Sequence, residues 1–379
     1  MRELALLFLR LGTVAFGGPA AHIAMMEEEV VKRRGWISHE HFLDLLSATN
    51  LIPGPNSTEL AIHIGYLRAG WRGLLVAGIC FILPAVAITL LFAYLYVSYG
   101  SIPQVGVFIL GIRSAVIAVV LAAVLRLGKP LLKNHFMVLL GGLVTALSLL
   151  GIDEIVLLVV AGVLGLLWSV RGRLIDGSAS LFAISPFLAS MMIGPSMSVT
   201  IVGSATLTGL AFFFLKVGSV LYGSGYVLAA FLQGGLVDAR HWLTQTQLLD
   251  AIAVGQFTPG PVLSTATFIG YLILGVPGAF VSTAGIFLPS FVFVLISAPF
   301  IPRLRTSPLT RGFLDGVNAA SLELMLSVAM LLGGSTLTTL SSGIVFLLAI
   351  VALVLWNPNP AWIVAGGAVL GWAFSALTL

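Results

Sequence analysis

Apolar residues run through this chain in long blocks rather than in the alternating or heptad patterns of a soluble core. Blocks near residues 74 to 97, 106 to 125, 135 to 150 and 155 to 169 return near 281 to 300, 312 to 333, 343 to 355 and 361 to 378. Their length and lack of charge predict membrane-crossing helices, several of them short. The block that opens at Phe42 holds an exception, NLIPGPNSTEL, in which two prolines flank a glycine. No regular helix passes through Pro53-Gly54-Pro55, and a bilayer offers an exposed backbone nothing to bond. The pattern therefore predicts an all-α polytopic membrane protein with a deliberate break inside one apolar segment.

That break occurs twice. FLRLGTVAFGG, starting at Phe8, returns as FLKVGSVLYGS, starting at Phe214, an offset of 206 that also relates Trp36 to Trp242, Asp44 to Asp250 and Pro53-Gly54-Pro55 to Pro259-Gly260-Pro261. After one deleted residue the offset is 205 and relates Gly70 to Gly275, Pro84 to Pro289 and Gly111 to Gly316. The chain thus reads as a first repeat over residues 1–170, a linker over 171–205 and a second repeat over 206–379. A cleaved signal would have no copy in mid-chain, so the apolar N-terminus belongs to the fold.

Basic residues in short loops mark the cytoplasmic side. The first repeat has Lys32, Arg33, Arg34, Arg68 and Arg72 in loops whose counterparts hold only Arg240. The bias then reverses: the uncharged loop near 97 to 105 answers to Arg303, Arg305 and Arg311, and Arg126, Lys129 and Lys133 answer to GSTLTTLSSG. Such a swap predicts two inverted-topology repeats, with about ten spanning helices in all. If Arg34 and Arg68 share one side, the segment from Phe42 to Tyr66 enters and leaves there as a re-entrant hairpin with Pro53-Gly54-Pro55 at its tip. Asn56, Ser57 and Thr58 then stand at N-cap positions, with Glu59 in the first turn. Pro259-Gly260-Pro261, with Ser264 and Thr265, forms the second such hairpin from the opposite face. Two half-helix N-termini pointing to the midplane present N–H groups and positive dipole ends, a setting for an anion. A Pro-kinked spanning helix is the alternative reading.

Charge changes the picture at two more positions. Arg10 lies inside LALLFLRLGTVAF, and its repeat partner is Lys216. A cation within an apolar segment usually faces a cavity or a partner, so both are candidate anion ligands; snorkelling, or a structural pair with Asp44 or Asp250, is the alternative. Gly17-Gly18-Pro19 and the stretch from Gly223 follow each cation and predict unwound backbone lining the same cavity. Composition closes off other classes. The chain is 59% hydrophobic and 8% charged with net charge +4, which excludes a soluble globule and nucleic-acid binding. Its single cysteine, Cys80, gives neither disulfide nor metal cluster. No phosphate-binding loop, zinc-protease or nucleophile-elbow motif is present, so neither an enzyme nor a cofactor is expected.

FGGPAAHIAMMEEEVVKRRGW, the Pro-Gly-Pro stretch and AGWRGLLVAGICFILP resemble the chromate ion transporter family in its two-domain long-chain form, over nearly the whole chain. The resemblance implies a multi-pass protein of the cell (inner) membrane of bacteria or archaea. It implies export of chromate from the cytoplasm, giving chromate resistance, driven by the membrane potential or a proton gradient. A sulfate-like tetrahedral oxyanion is the alternative cargo, since hydroxyls, N–H groups and one or two cations suit either dianion. The bilayer is the expected partner, and a homodimer is compatible. The second repeat departs from the signature, with Gly223-Ser224-Gly225 for Gly17-Gly18-Pro19 and Leu228 for His22, which predicts unequal contributions to the site. For proton coupling the titratable candidates are His22, Asp44, Glu59, His63 and Asp250. Asp44 and Asp250 are the one acidic pair kept in both copies, with interfacial capping as their alternative role.

Overall fold

The computed structural model describes residues 1–379 except 17, 50–51, 101–102, 130, 132–133, 176–203, 223–226, 299–307, 357 and 379. Gly17, Gly223, Arg303, Arg305 and most of the linker lie outside the described residues. The rest is all-α, and its fourteen α-helices fall into two sets of seven. The first set is α1 Arg2–Val14, α2 Pro19–Glu27, α3 His39–Thr49, α4 Asn56–Tyr99, α5 Pro103–Gly128, α6 His135–Leu149 and α7 Glu154–Ile175. The second is α8 Leu207–Val220, α9 Leu228–Leu232, α10 Gln245–Phe257, α11 Thr265–Ser297, α12 Pro308–Thr336, α13 Leu340–Leu355 and α14 Pro360–Thr378. A π-helical turn follows α2 at Glu28–Arg33 and α9 at Gln233–Asp238.

The first four helices of each set are short or broken. The 13 residues of α1 extend about 20 Å, well short of a bilayer's hydrocarbon core. Gly18, at φ +76°, then turns the chain, and Pro19 opens α2 at the position where a missing N–H is harmless. Glu3 meets Arg34 at 3.4 Å and Arg10 meets Glu29 at 3.7 Å, so α1 and α2 with its π turn run antiparallel as a helical hairpin. A second hairpin joins α3 to the start of α4. Its two ends meet at Trp36, over which the guanidinium groups of Arg34 and Arg68 lie at 5.7 and 5.1 Å. The bases of both hairpins are therefore together, and Pro53-Gly54-Pro55 is at the far tip.

Beyond Arg68 the helix breaks at Ala69 and Gly70, the latter at φ +58°; α11 breaks in the same way at Leu274 and Gly275, at φ +65°. The chain folds back at each. A side chain on Gly65 would overlap the Gly73 carbonyl, and one on Gly270 that of Gly278, so small residues let the two arms touch.

The two halves interlock rather than sit side by side. Helix α5 packs against α13 and α14 of the other half, α12 reciprocates against α6 and α7, and α4 packs against α11. Backbone contact is close there too, at Gly111 with Gly367 and at Gly165 with Gly312. Outward surfaces are apolar: Leu83 and its counterpart Leu288 are 54% and 53% exposed, which suits lipid as solvent. Among the described residues, four stretches are long and apolar enough to cross a membrane, in α4, in α5, from Val262 through α11, and in α12, with shorter apolar helices beside them. The protein is a multi-pass membrane protein.

Candidate functional site

The Pro-Gly-Pro tips meet the opposite half of the molecule. Gly54 N–H donates to the Leu221 carbonyl at 2.6 Å, and Gly260 N–H donates to the Ala15 carbonyl at 3.0 Å. Ala15 and Leu221 are themselves repeat counterparts, each just past the end of the first helix of its half. The two bonds form a reciprocal exchange, each tip plugged into the other half's first hairpin. Gly54, at φ +142°, and Gly260, at φ +86°, hold backbone conformations that favour glycine. The flanking Pro53, Pro55, Pro259 and Pro261 remove donors that the tips could not satisfy.

The glycine N–H groups of the tips are held by carbonyls of the other half and so are not open to an anion in this arrangement. Nor do Asn56, Ser57 and Thr58 cap the half-helix: Pro55 occupies the N-cap position without any side-chain bond, and the three polar residues form the first turn. Ser57 instead turns to α2. His22 Nε2 lies 3.0 Å from the Ala15 carbonyl, and Nδ1 lies 3.2 Å from Ser57 Oγ. A carbonyl only accepts, so Nε2 carries the proton, and in the neutral ring Ser57 donates to Nδ1. A continuous path of hydrogen bonds thus runs from the first turn of α4 through His22 and Ala15 to the second tip. Leu228 stands in His22's place in the second half and has no side-chain polar atom to continue such a path.

Around the first tip lies a group of buried polar side chains without partners. Glu59 and Ser290 are fully buried and Tyr222 is 3% exposed; the Glu59 carboxyl oxygens, Ser290 Oγ and Tyr222 Oη have no hydrogen-bond partner among the described residues. Both Ser290 Oγ and the Glu59 carboxyl crowd the space that a Gly54 side chain would take. Tyr222 directly follows Leu221, whose carbonyl accepts from Gly54 N–H, which brings its hydroxyl into the neighbourhood of Glu59. Thr58 Oγ1 and His63 Nε2, one residue before and one turn after Glu59, are also unpartnered. The second tip is better satisfied: Thr89 donates to Ser264 at 3.2 Å, and Thr265 donates to the Val262 carbonyl at 2.8 Å.

Arg10 and Lys216 are not part of this assembly, which corrects the cavity-facing expectation. On α1 the buried stripe is Leu4, Leu7, Phe8 and Leu11, and on α8 it is Leu210, Phe213, Phe214 and Val217. Helical periodicity puts the cations off that stripe. Arg10 is 63% exposed and pairs with Glu29; Lys216 is exposed, with its charge reaching Glu154. Glu29 also accepts from Arg33 at 3.0 Å and from Arg34. Burial works to raise the Glu29 carboxyl, but the Arg34 bond and the charges of Arg34, Arg33 and Arg10 outweigh it and hold the group below its usual range. A carboxyl lowered by folding adds stability at neutral pH and loses it as pH falls through its folded value, below about 4.3. Melting of the purified protein in acid should therefore shift less in Glu29→Gln than in the wild type. Equal acid sensitivity of the two would show that the hairpin base does not depend on this charge.

Asp250 does not cap a helix end. It is 4% exposed in mid-α10, where Arg113 Nε and Nη2 donate to its two oxygens at 2.7 and 2.8 Å and Tyr96 Oη donates at 2.7 Å. Asp44, its counterpart, is half-buried on α3. Arg113 and Tyr96 were not singled out by sequence reasoning, nor were Tyr222, Ser290 and Thr89. For Arg113 a signal existed, since it interrupts the apolar run GVFILGIRSAVIAVV just as Arg10 interrupts its own. It has no basic counterpart in the second repeat, where Asn318 takes its place, so comparing the repeats passed over it.

Comparison with known proteins agrees with the duplication. The family model described as "Chromate transporter" matches residues 2–166 and again 208–372. A chromate transport protein of Cupriavidus metallidurans is 32% identical over 98% of this chain and 92% of its own length. A probable chromate transport protein of Synechococcus elongatus is 29% identical over 93% of this chain and 89% of its own. An uncharacterized transporter of Methanocaldococcus jannaschii is 28% identical over 85% and 82%. No solved structure matches the chain.

Proposed function

The chain belongs to the chromate transporter family, and from that premise we propose that it carries chromate out of the cytoplasm, giving chromate resistance, as a secondary transporter driven chiefly by the membrane potential. The observation that carries the reading is the reciprocal docking of the two tips, Gly54 on Leu221 and Gly260 on Ala15. Paired broken helices that meet across a repeat interface are the parts from which alternating-access sites are built. We take the repeats to be inverted, the end that holds Arg34, Trp36 and Arg68 to be cytoplasmic, and the tips to be re-entrant. The oxyanion then binds where the first turns of α4 and α11, with Ser57, Thr58, Ser264 and Thr265, converge with His22 near mid-membrane. Opening of the Gly54 and Gly260 bonds would free two N–H donors for it during the cycle.

The direction follows from charge. With the cytoplasm negative, expelling a dianion is favoured by about 4.6 kcal/mol per 100 mV for a full crossing. No bond in the anion is made or broken, so the role is transport rather than catalysis. The test is purified protein in liposomes holding radiolabelled chromate. A potential negative on the loaded side should accelerate exit, with the anion recovered unchanged and excess unlabelled sulfate competing weakly. Exit at the rate of empty liposomes would overturn the reading. Cysteines at positions 34 and 240 should react from opposite faces; reaction from one face would overturn the inverted arrangement.

A further inference from the structure

We propose that Glu59 is a proton-bearing ligand of the transported oxyanion, so that a proton and the anion bind together at the first tip. The inference rests on the transport reading above and adds the group that couples substrate to protons. Three polar side chains from three elements converge without partners: Glu59 from the first turn of α4, Ser290 from α11, and Tyr222 from the segment after α8. All are at least nine-tenths buried. Buried polar groups in native proteins are nearly always bonded, so three orphans at one helix N-terminus mark a place where a ligand completes the set.

The donor count identifies the ligand's class. Two hydroxyls and a carboxylic acid are three O–H donors, and a dianion with four acceptor oxygens uses them all. Ionised, the same carboxyl would place a negative charge beside the dianion. It would also have no counter-charge, because no lysine or arginine pairs with it among the described residues. The helix-end dipole returns less than the desolvation of an unpaired carboxylate takes, so the acid is the form this setting accommodates. The titratable groups facing it are Tyr222, His63 one turn along α4, and His22 through Ser57; α11 carries no charged residue, and Lys216 of α8 and Arg10 of α1 point away. The second repeat has Ser264 and Thr265 where Glu59 stands in the first, so one proton site serves one transport site.

Coupling is reciprocal: if the proton strengthens anion binding, the anion strengthens proton binding. Each turnover then moves one proton with the dianion, so the pair crosses with one net negative charge and the membrane potential still favours exit, with half the drive of the bare dianion. The measurement is chromate binding to purified protein across neutral pH, wild type against Glu59→Gln, with internal pH followed during chromate flux in liposomes. Chromate's own protonation is common to both proteins, so the informative quantity is their ratio. Wild-type affinity should weaken relative to Glu59→Gln by about tenfold per pH unit once Glu59 loses its proton, and proton movement per chromate should fall in the variant. A constant ratio with equal proton movement overturns the proposal, whereas a wild type that binds and moves no chromate overturns the transport reading instead. If Glu59→Gln does not fold, Tyr222→Phe and Ser290→Ala decide. Each should weaken binding by about tenfold or more with the pH slope kept, and unchanged affinity in both overturns the shared site.

Discussion

Arg113→Leu will destabilise the folded protein by about 3–5 kcal/mol, because it leaves Asp250 as an unpaired charge in a site where it is 4% exposed. The cost is not the worth of the ion pair. It is mostly the penalty of a buried carboxylate that has lost both guanidinium bonds and keeps only Tyr96. Two further variants separate these terms. The double variant Arg113→Leu with Asp250→Leu removes both charges and should recover most of the loss, since apolar pairs of similar volume often replace buried ion pairs without harm. Tyr96→Phe should cost about 1.5–3 kcal/mol, the scale of one hydrogen bond to a charged group. Melting in detergent, followed by the monodisperse fraction, reads all three. An Arg113→Leu protein that melts with the wild type would mean that water or another group reaches Asp250.

The second large effect is expected at the tips. Alanine at Gly260 must hold φ +86° and places its methyl 3.0 Å from Ala85 Cβ and 3.1 Å from the Gly12 carbonyl. Alanine at Gly54 meets Ser290 Oγ at 2.7 Å and overlaps the Glu59 carboxyl. Backbone strain alone costs about 1–3 kcal/mol at such a position, and the crowding pushes each tip off its carbonyl partner. Both variants should lower the melting temperature and reduce chromate flux in liposomes by far more than they reduce yield. Gly142→Ala is the control, an open helix position with nothing within 4 Å of the added methyl. If Gly54→Ala and Gly260→Ala transported like that control, the reciprocal bonds would have no part in the cycle.

What the sequence by itself determined is what depends on local chemistry and on repetition. Long apolar blocks without charge or alternation specify membrane helices, because a helix satisfies its own backbone in lipid and a barrel strand would alternate. Pro-Gly-Pro specifies a break wherever it stands. The offset of 206, then 205, pairs the glycine, proline and tryptophan landmarks of the two halves, so the duplicated organisation was legible, as were Glu59 and His22 as residues of interest. Direction and partnership were not. A hydrophobic pattern does not say whether the chain crosses or turns back after Ala15; the meeting of Glu3 with Arg34 decides that, through a contact between residues 31 positions apart. It also does not say which side of a helix a lone cation takes. Arg10 lies off the stripe of Leu7, Phe8 and Leu11, while Arg113, which comparing the repeats passed over, turns inward because Asp250 of the other half is there to meet it. The tertiary structure alone decided that each tip is held by the opposite repeat. A hydrogen bond between Gly54 and Leu221 follows from how two halves interlock, and neither residue carries a side chain that could announce it.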